Sequence, residues 1–291
     1  VFASNTSTLP ITGLAKASVR PANFIGLHFF SPVDKMPLVE IIVGAETSDE
    51  TLARGFDYVL QIGKTPIVVN DKRGFYTSRV FATYVMEGLA MVAEGVHPRS
   101  VEVAGMKAGM PMPPLALQDE VSLSLSLHIS AQTRKDLAAE GIDYPAHPGE
   151  AVLQEVCGVR GRVGKKSGQG LYDYQGKDKT LWPGLLEIYP PKPEQPSQQD
   201  IIDRLMFIQA NEAARCFEEN VVRSVADANI GSIFGWGFAP HQGGALQFIN
   251  AMGVQRFVAR SRELAQQHGA RFEPAAILVQ MAQENARFQD A

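Results

Sequence analysis

The chain has 291 residues, 45% hydrophobic and 20% charged, with a formal net charge of −4. That length supports two or three domains with a self-sustaining core, and the mild acidity gives no electrostatic footprint for nucleic acid or an anionic membrane. Cys157 and Cys216 form no C-x-x-C, so neither a disulfide framework nor a metal site is indicated and a reducing, cytoplasmic setting fits; no apolar run reaches the roughly eighteen residues of a membrane span.

From Val1 to about Asn70, short apolar runs alternate with helical patterns. Residues 1–4, 24–30, 38–43 and 66–70 are predicted strands, β-branched or aromatic and bounded by Pro, Gly, Asn or Asp. Residues 47–63 are a predicted helix with Thr47 and Glu50 as a capping box, Leu52, Phe56, Val59 and Leu60 as its apolar face, and Gly63 at its end. Strand, helix, strand is the unit of a parallel sheet. The chain opens on a strand with no glycine-rich turn before it, so it reads as starting within a domain.

After Gly74 the period becomes helical. Val80, Phe81, Tyr84, Val85, Leu89 and Val92 mark a long buried helix, and helical segments continue to about Glu140. "GKKSGQGLYDY" (164–174) closes this region, and the proline-rich residues 182–199 read as a linker. A second helical block follows from Asp200. Its residues 211–240 echo 86–114, pairing Glu87 with Glu212 and Arg99-Ser100-Val101 with Arg223-Ser224-Val225, which suggests a duplicated helical domain.

Two glycine-rich stretches invite phosphate sites and fail. "GVRGRVGKKS" has Val159 where the Walker pattern needs glycine, and "GWGFAP" has Pro240 where a dinucleotide fingerprint needs its third glycine. Of the six histidines none pairs at metal spacing; His97, His147 and His268 read as exposed, His128 as core or interface, and His241 as a turn residue beside a glycine pair. His28 differs. It lies in "IGLHFF", where an imidazole needs a partner, and Glu40 lies in the equally apolar "PLVEII" beyond a bend at Pro37. Two readings stand: a satisfied core histidine, or a general base whose tautomer is held by a carboxylate on the neighbouring strand.

Four stretches, "VFASNTSTLPI", "IGLHFFSPVDKMPLVEII", "GKTPIVVNDKRGFYTSR" and "GMPMPPLALQDEV", closely resemble the L-3-hydroxyacyl-CoA dehydrogenases. The second of them, with the duplicated block, looks most like the C-terminal half of the bacterial multifunctional fatty-acid β-oxidation α-subunit. The resemblance implies an α/β plus all-α chain: the last part of a Rossmann-type parallel sheet (1–71), a first helical domain (72–176), a linker (177–199) and a second, related helical domain (200–291). It implies oxidation of (S)-3-hydroxyacyl-CoA to 3-oxoacyl-CoA with NAD, His28 as base and Glu40 as its partner. Ser7 and Ser78 would bind substrate, and Asn5, Ser7 and Ser31 the cofactor. Ser78 stands where the family has asparagine, and Pro113-Pro114 where it usually has Gly-Pro. The partners it allows are the acyl-CoA substrate, an upstream hydratase domain, a thiolase subunit and further copies of the chain. Without the glycine fingerprint, weak or no binding of NAD by this chain alone is expected, as are an unpaired strand edge and exposed apolar surface. Two other readings are a non-catalytic assembly fragment and a different β-hydroxyacid dehydrogenase, whose class generally uses a lysine base.

Overall fold

The computed structural model describes residues 1–144 and 146–290. In chain order it runs through β1 (Phe2–Ser4), α1 (Ile11–Ala15), β2 (Phe24–Phe29), β3 (Leu38–Val43), α2 (Asp49–Gln61) and β4 (Thr65–Asn70). Helices α3 (Thr77–Ala93), α4 (Pro98–Lys107), α5 (Pro114–Val121), α6 (Leu123–Ala139) and α7 (Gly149–Leu153) follow, then a hairpin of β5 (Tyr172–Gln175) and β6 (Asp178–Leu181). The rest is helical: α8 (Gly184–Ile188), α9 (Gln198–Glu218), α10 (Val225–Trp236), α11 (Ala245–Met252), α12 (Val254–His268) and α13 (Ala276–Glu284). Among the described residues no helix is long and apolar enough to cross a membrane.

Two compact units divide the chain, with the divisions falling inside α3 and α9. One joins Val1–Phe81 to the chain from Phe207 onward; the other is Ala82–Met206. In the first of these, α10 packs on β3 and β4 and carries glycines where it meets strand side chains: a Cβ at Gly231 would stand 2.7 Å from Cδ1 of Ile67, too close to be tolerated without movement. The segment expected as a linker, 177–199, also holds more structure than its prolines suggest, since it contains β6 and α8.

The four-stranded sheet of the first unit has the order β1-β2-β3-β4. β1 pairs β2 and β3 pairs β4 in parallel, while β2 and β3 are antiparallel, so the expected parallel sheet is mixed at its centre. The reversal follows from chain length, because the short connection through Pro37 can return a strand only antiparallel; a parallel return needs a crossover of a dozen or more residues. Ile25, Leu27, Val39, Ile41 and Val59 form the core between this sheet and α2. The buried stripe of α2 is Thr51, Gly55 and Val59, while Phe56 and Leu60, expected on that face, are exposed. Its cap is Ser48, whose Oγ accepts from Thr51 N at 3.2 Å, and Thr47 instead donates to the Phe24 carbonyl at 2.7 Å. β1 is an edge strand with Val1 and Phe2 exposed.

In the second unit Leu89, Val92, Leu115, Val152, Leu153 and Leu171 belong to one core. Each unit also contains a buttress of the same design. In the first, Arg79 of α3 pairs with Glu212 and with Glu219, at 2.6 Å, next to the end of α9. In the second, Arg204 of α9 pairs with Glu87 on α3 and with Glu94, at 2.7 Å. Each helix with the residue that follows it thus carries the spacing R-x7-E-x6-E, and each arginine meets the two glutamates of the other segment.

Candidate active site

Alternation along the strands puts His28 and Glu40 on the sheet face opposite α2, because Leu27 and Ile41, their immediate neighbours, point into the α2 core. The register then sets them directly opposite each other across the antiparallel pair. Nδ1 of His28 lies 2.9 Å from Oε2 of Glu40. His28 is 6% exposed and Glu40 fully buried, with the His28 ring centroid 4.4 Å from that of Phe30.

A buried carboxylate needs donors at all of its lone pairs, and Glu40 has them. Oε1 accepts from Tyr76 N at 2.9 Å and Thr77 N at 3.0 Å; Oε2 accepts from the Thr77 hydroxyl at 2.6 Å as well as from the imidazole. The two backbone donors come from the start of α3, where helix polarity also favours an anion. They are aimed by a left-handed turn, Gly74 at φ 72° and Phe75 at φ 51°. A non-glycine residue in that region is uncommon and costs backbone energy, so the surrounding packing must hold Phe75 there; it is completely buried. With Glu40 as acceptor, Nδ1 of His28 carries a proton, and in the neutral ring Nε2 then presents a lone pair. That is the tautomer a general base needs.

Of the remaining residues expected at the site, Asn5 and Ser7 lie in the loop after β1. Oδ1 of Asn5 accepts from Phe29 N at 2.8 Å, beside His28, and the Thr8 carbonyl accepts from Gly74 N at 3.3 Å. Ser7 is exposed between these two anchors. Ser78 is half-buried, next to Thr77 in the first turn of α3. Ser31 is exposed in the turn after β2, before a cis bond to Pro32.

Sequence reasoning missed the donors. Tyr76 and Thr77 sit in "GFYTSR", and the signal that pointed to them was the buried glutamate itself, which two backbone amides and a hydroxyl had to satisfy. It also missed α10, which backs this face: the Tyr76 hydroxyl donates to the Ala228 carbonyl at 2.8 Å, and the Tyr76 and Trp236 rings meet edge-on at 5.4 Å. The other histidines do local work or face solvent. His97 caps α4 by accepting from Arg99 N at 3.1 Å, and His128, expected in a core or interface, is exposed.

Comparison with known proteins decides the family. Residues 1–72 match the family model described as 3-hydroxyacyl-CoA dehydrogenase, NAD binding domain, and residues 74–174 match 3-hydroxyacyl-CoA dehydrogenase, C-terminal domain; together these span more than half of the chain. The chain belongs to the 3-hydroxyacyl-CoA dehydrogenase family. Among solved structures, the fold matches 3-hydroxybutyryl-CoA dehydrogenase from Escherichia coli K12 with a TM-score of 0.78 at 23% identity, over 97% of this chain and 75% of that one. The (S)-3-hydroxybutyryl-CoA dehydrogenase of Ralstonia eutropha is 35% identical with a TM-score of 0.53, over 60% of each chain. The dehydrogenase part of multifunctional enzyme 1 from C. elegans gives 0.65 at 23% identity, over 96% of this chain and 64% of that one.

Family membership indicates NAD as the cofactor. A dinucleotide diphosphate sits on free N–H groups at a helix start that follows a strand. Helices α1 and α2 are the candidates beside this sheet, and both starts are filled. Asp71 accepts from Ile11 N at 2.9 Å and Thr12 N at 2.7 Å, while Ser48 caps α2, whose first turn also carries Asp49 and Glu50. These starts repel a diphosphate. The starts of α1 and α2 therefore do not offer the free N–H groups that a dinucleotide diphosphate needs.

Proposed function

We propose that this chain carries the proton-transfer half of an (S)-3-hydroxyacyl-CoA dehydrogenase site of fatty-acid β-oxidation, with His28 as base and Glu40 as its partner. The observation that carries the reading is the four-donor cage around Glu40, which fixes the His28 tautomer. The overall reaction takes a 3-hydroxyacyl-CoA to the 3-oxoacyl-CoA, and NAD is the hydride acceptor of this family. Nε2 of His28 takes the hydroxyl proton; Glu40, hydrogen-bonded through Nδ1, stabilises the imidazolium that results. Ser7 and, with a shorter reach than asparagine, Ser78 orient the substrate oxygens, while Asn5, Ser7 and Ser31 line the approach of the nicotinamide. The closeness of "GLHFFSPVDKMPLVEII" to the multifunctional α-subunit supports a parent that also carries a hydratase domain and meets a thiolase subunit.

Turnover of (S)-3-hydroxybutyryl-CoA, followed as NADH with NAD raised until the rate saturates, tests the assignment. His28→Ala should cost about a hundredfold or more, the scale of a lost general base. Near-normal turnover by that variant would remove His28 from the mechanism. Because both helix starts beside the sheet are capped by protein groups, NAD alone should bind this chain more weakly than micromolar; calorimetry reads this directly, and micromolar binding would mean that the diphosphate has another seat.

We also propose that residues 200–291 are a second copy of the helical domain. The shared R-x7-E-x6-E spacing and the common order of long helix, capped shorter helix and third helix in α3-α4-α5 and α9-α10-α11 support it. Superposition of 86–114 on 211–240 in an experimental structure tests it; a different helix order would make the echo an accident of composition.

A further inference from the structure

We propose that α10 sets the geometry of the His28–Glu40 pair through Thr77, with Gly235 and Thr77 as positioning residues. The proposal rests on the reading of His28 as the base and adds the element that keeps its partner in place. Oε2 of Glu40 takes two donors, the imidazole at 2.9 Å and the Thr77 hydroxyl at 2.6 Å. Where that hydroxyl points therefore decides how the oxygen is shared. Threonine carries its hydroxyl and methyl on one carbon, so fixing the methyl fixes the hydroxyl. In the first turn of a helix a threonine hydroxyl has competing local backbone partners, and something must hold it away from them. Gly235 does so. A Cβ there would stand 3.0 Å from the Thr77 methyl and 3.2 Å from Cδ2 of Leu38, so the helix backbone itself lies against the methyl. Thr77 is buried between α10 and Glu40.

The wall is stiff. Ser224 caps α10 by accepting from Asp227 N at 2.9 Å, Gly237 ends it in the left-handed conformation, and the Trp236 indole donates to Gln209 at 2.9 Å. The Tyr76 hydroxyl ties the residue before Thr77 to the Ala228 carbonyl. Glycine at 235 lets the helix come close enough to act on Thr77.

The ring nitrogen and proton resonances of His28, read by nitrogen-15 NMR in the full chain, report this geometry without turnover. Failure here is therefore distinguishable from failure of the His28→Ala assay. Thr77→Val, which removes the donor and keeps the shape, should shift the Nδ1–H resonance, and Thr77→Ser should return it part of the way. Gly235→Ala should shift it most when Thr77 is present and less in the Thr77→Ser background, where the Leu38 contact remains and there is no methyl to push. Unchanged His28 resonances in Thr77→Val would overturn the proposal, as would a Gly235→Ala shift of equal size in both backgrounds. Should Gly235→Ala fail to melt cooperatively, Tyr76→Phe, which cuts the tie from the residue before Thr77 to the Ala228 carbonyl of α10, should shift the Nδ1–H resonance, and an unchanged resonance would overturn the proposal.

Discussion

Glu40 and Glu102, one in each compact unit, are buried carboxylates with similar backbone support and different side-chain partners. Glu40 collects Tyr76 N and Thr77 N at the start of α3; Glu102, on α4 and 7% exposed, collects Leu115 N at 2.8 Å and Ala116 N at 3.3 Å in the first turn of α5. The side-chain partners separate them. Glu40 faces an imidazole, whereas Glu102 accepts from the Tyr172 hydroxyl. Burial and the adjoining Glu102 push the Tyr172 phenol up, so it keeps its proton. Burial likewise pushes the Glu102 carboxyl up to about 7, against the lowering effect of its Tyr172 and backbone hydrogen bonds. Satisfying a buried acid is thus a structural requirement that both sites meet. The proton-transfer role proposed for Glu40 rests on its partner, an imidazole that can hold one proton or two.

Replacing each acid by its amide gives the sharpest contrast. Glu40→Gln places an amide NH2 among four donors, so at least one hydrogen bond is lost, and turnover of 3-hydroxybutyryl-CoA should fall about tenfold, the equivalent of one charge-assisted bond. Glu102→Gln should leave turnover unchanged. Equal losses in the two variants would erase the distinction between a site acid and a structural one.

Tyr172→Phe comes next in size. It removes a donor from Glu102 while keeping the ring in its core, and should destabilise the helical unit by about 1–3 kcal/mol. Thermal unfolding checks this, and no change in melting temperature would mean that the hydrogen bond contributes nothing.

The smallest effect is in the pH dependence of stability. Because the folded chain holds the Glu102 proton up to about 7 against an ordinary 4.5, its contribution is fully present below about 4.5 and is lost as pH rises through about 7. Asp119, also raised by burial, acts in the same direction. Melting temperature should therefore decline from pH 5 to pH 8 by a few degrees, and the decline should flatten in Glu102→Gln. A slope untouched by that substitution would assign it to other groups.

The four strands of the sheet and the pairing of the two that carry His28 and Glu40 were legible in the sequence because each depends on short-range regularities. Alternation by two gives a strand its faces, and a proline bend lets the chain turn back so that neighbouring strands pair. The helix face of α2 was not legible: a sheet accepts whichever stripe fits its surface, and Gly55 with Thr51 and Val59 packs closer than Phe56 and Leu60 could. Nor were the donors of Glu40, which come from a left-handed turn at Phe75 that local preference disfavours. The wall behind them lies far along the chain in α10, and its glycines have no sequence signal apart from the surface they meet. Sequence determined which residues needed partners; only tertiary packing could supply them, since a buried charge is satisfied by whatever donors the rest of the chain brings within about 3 Å.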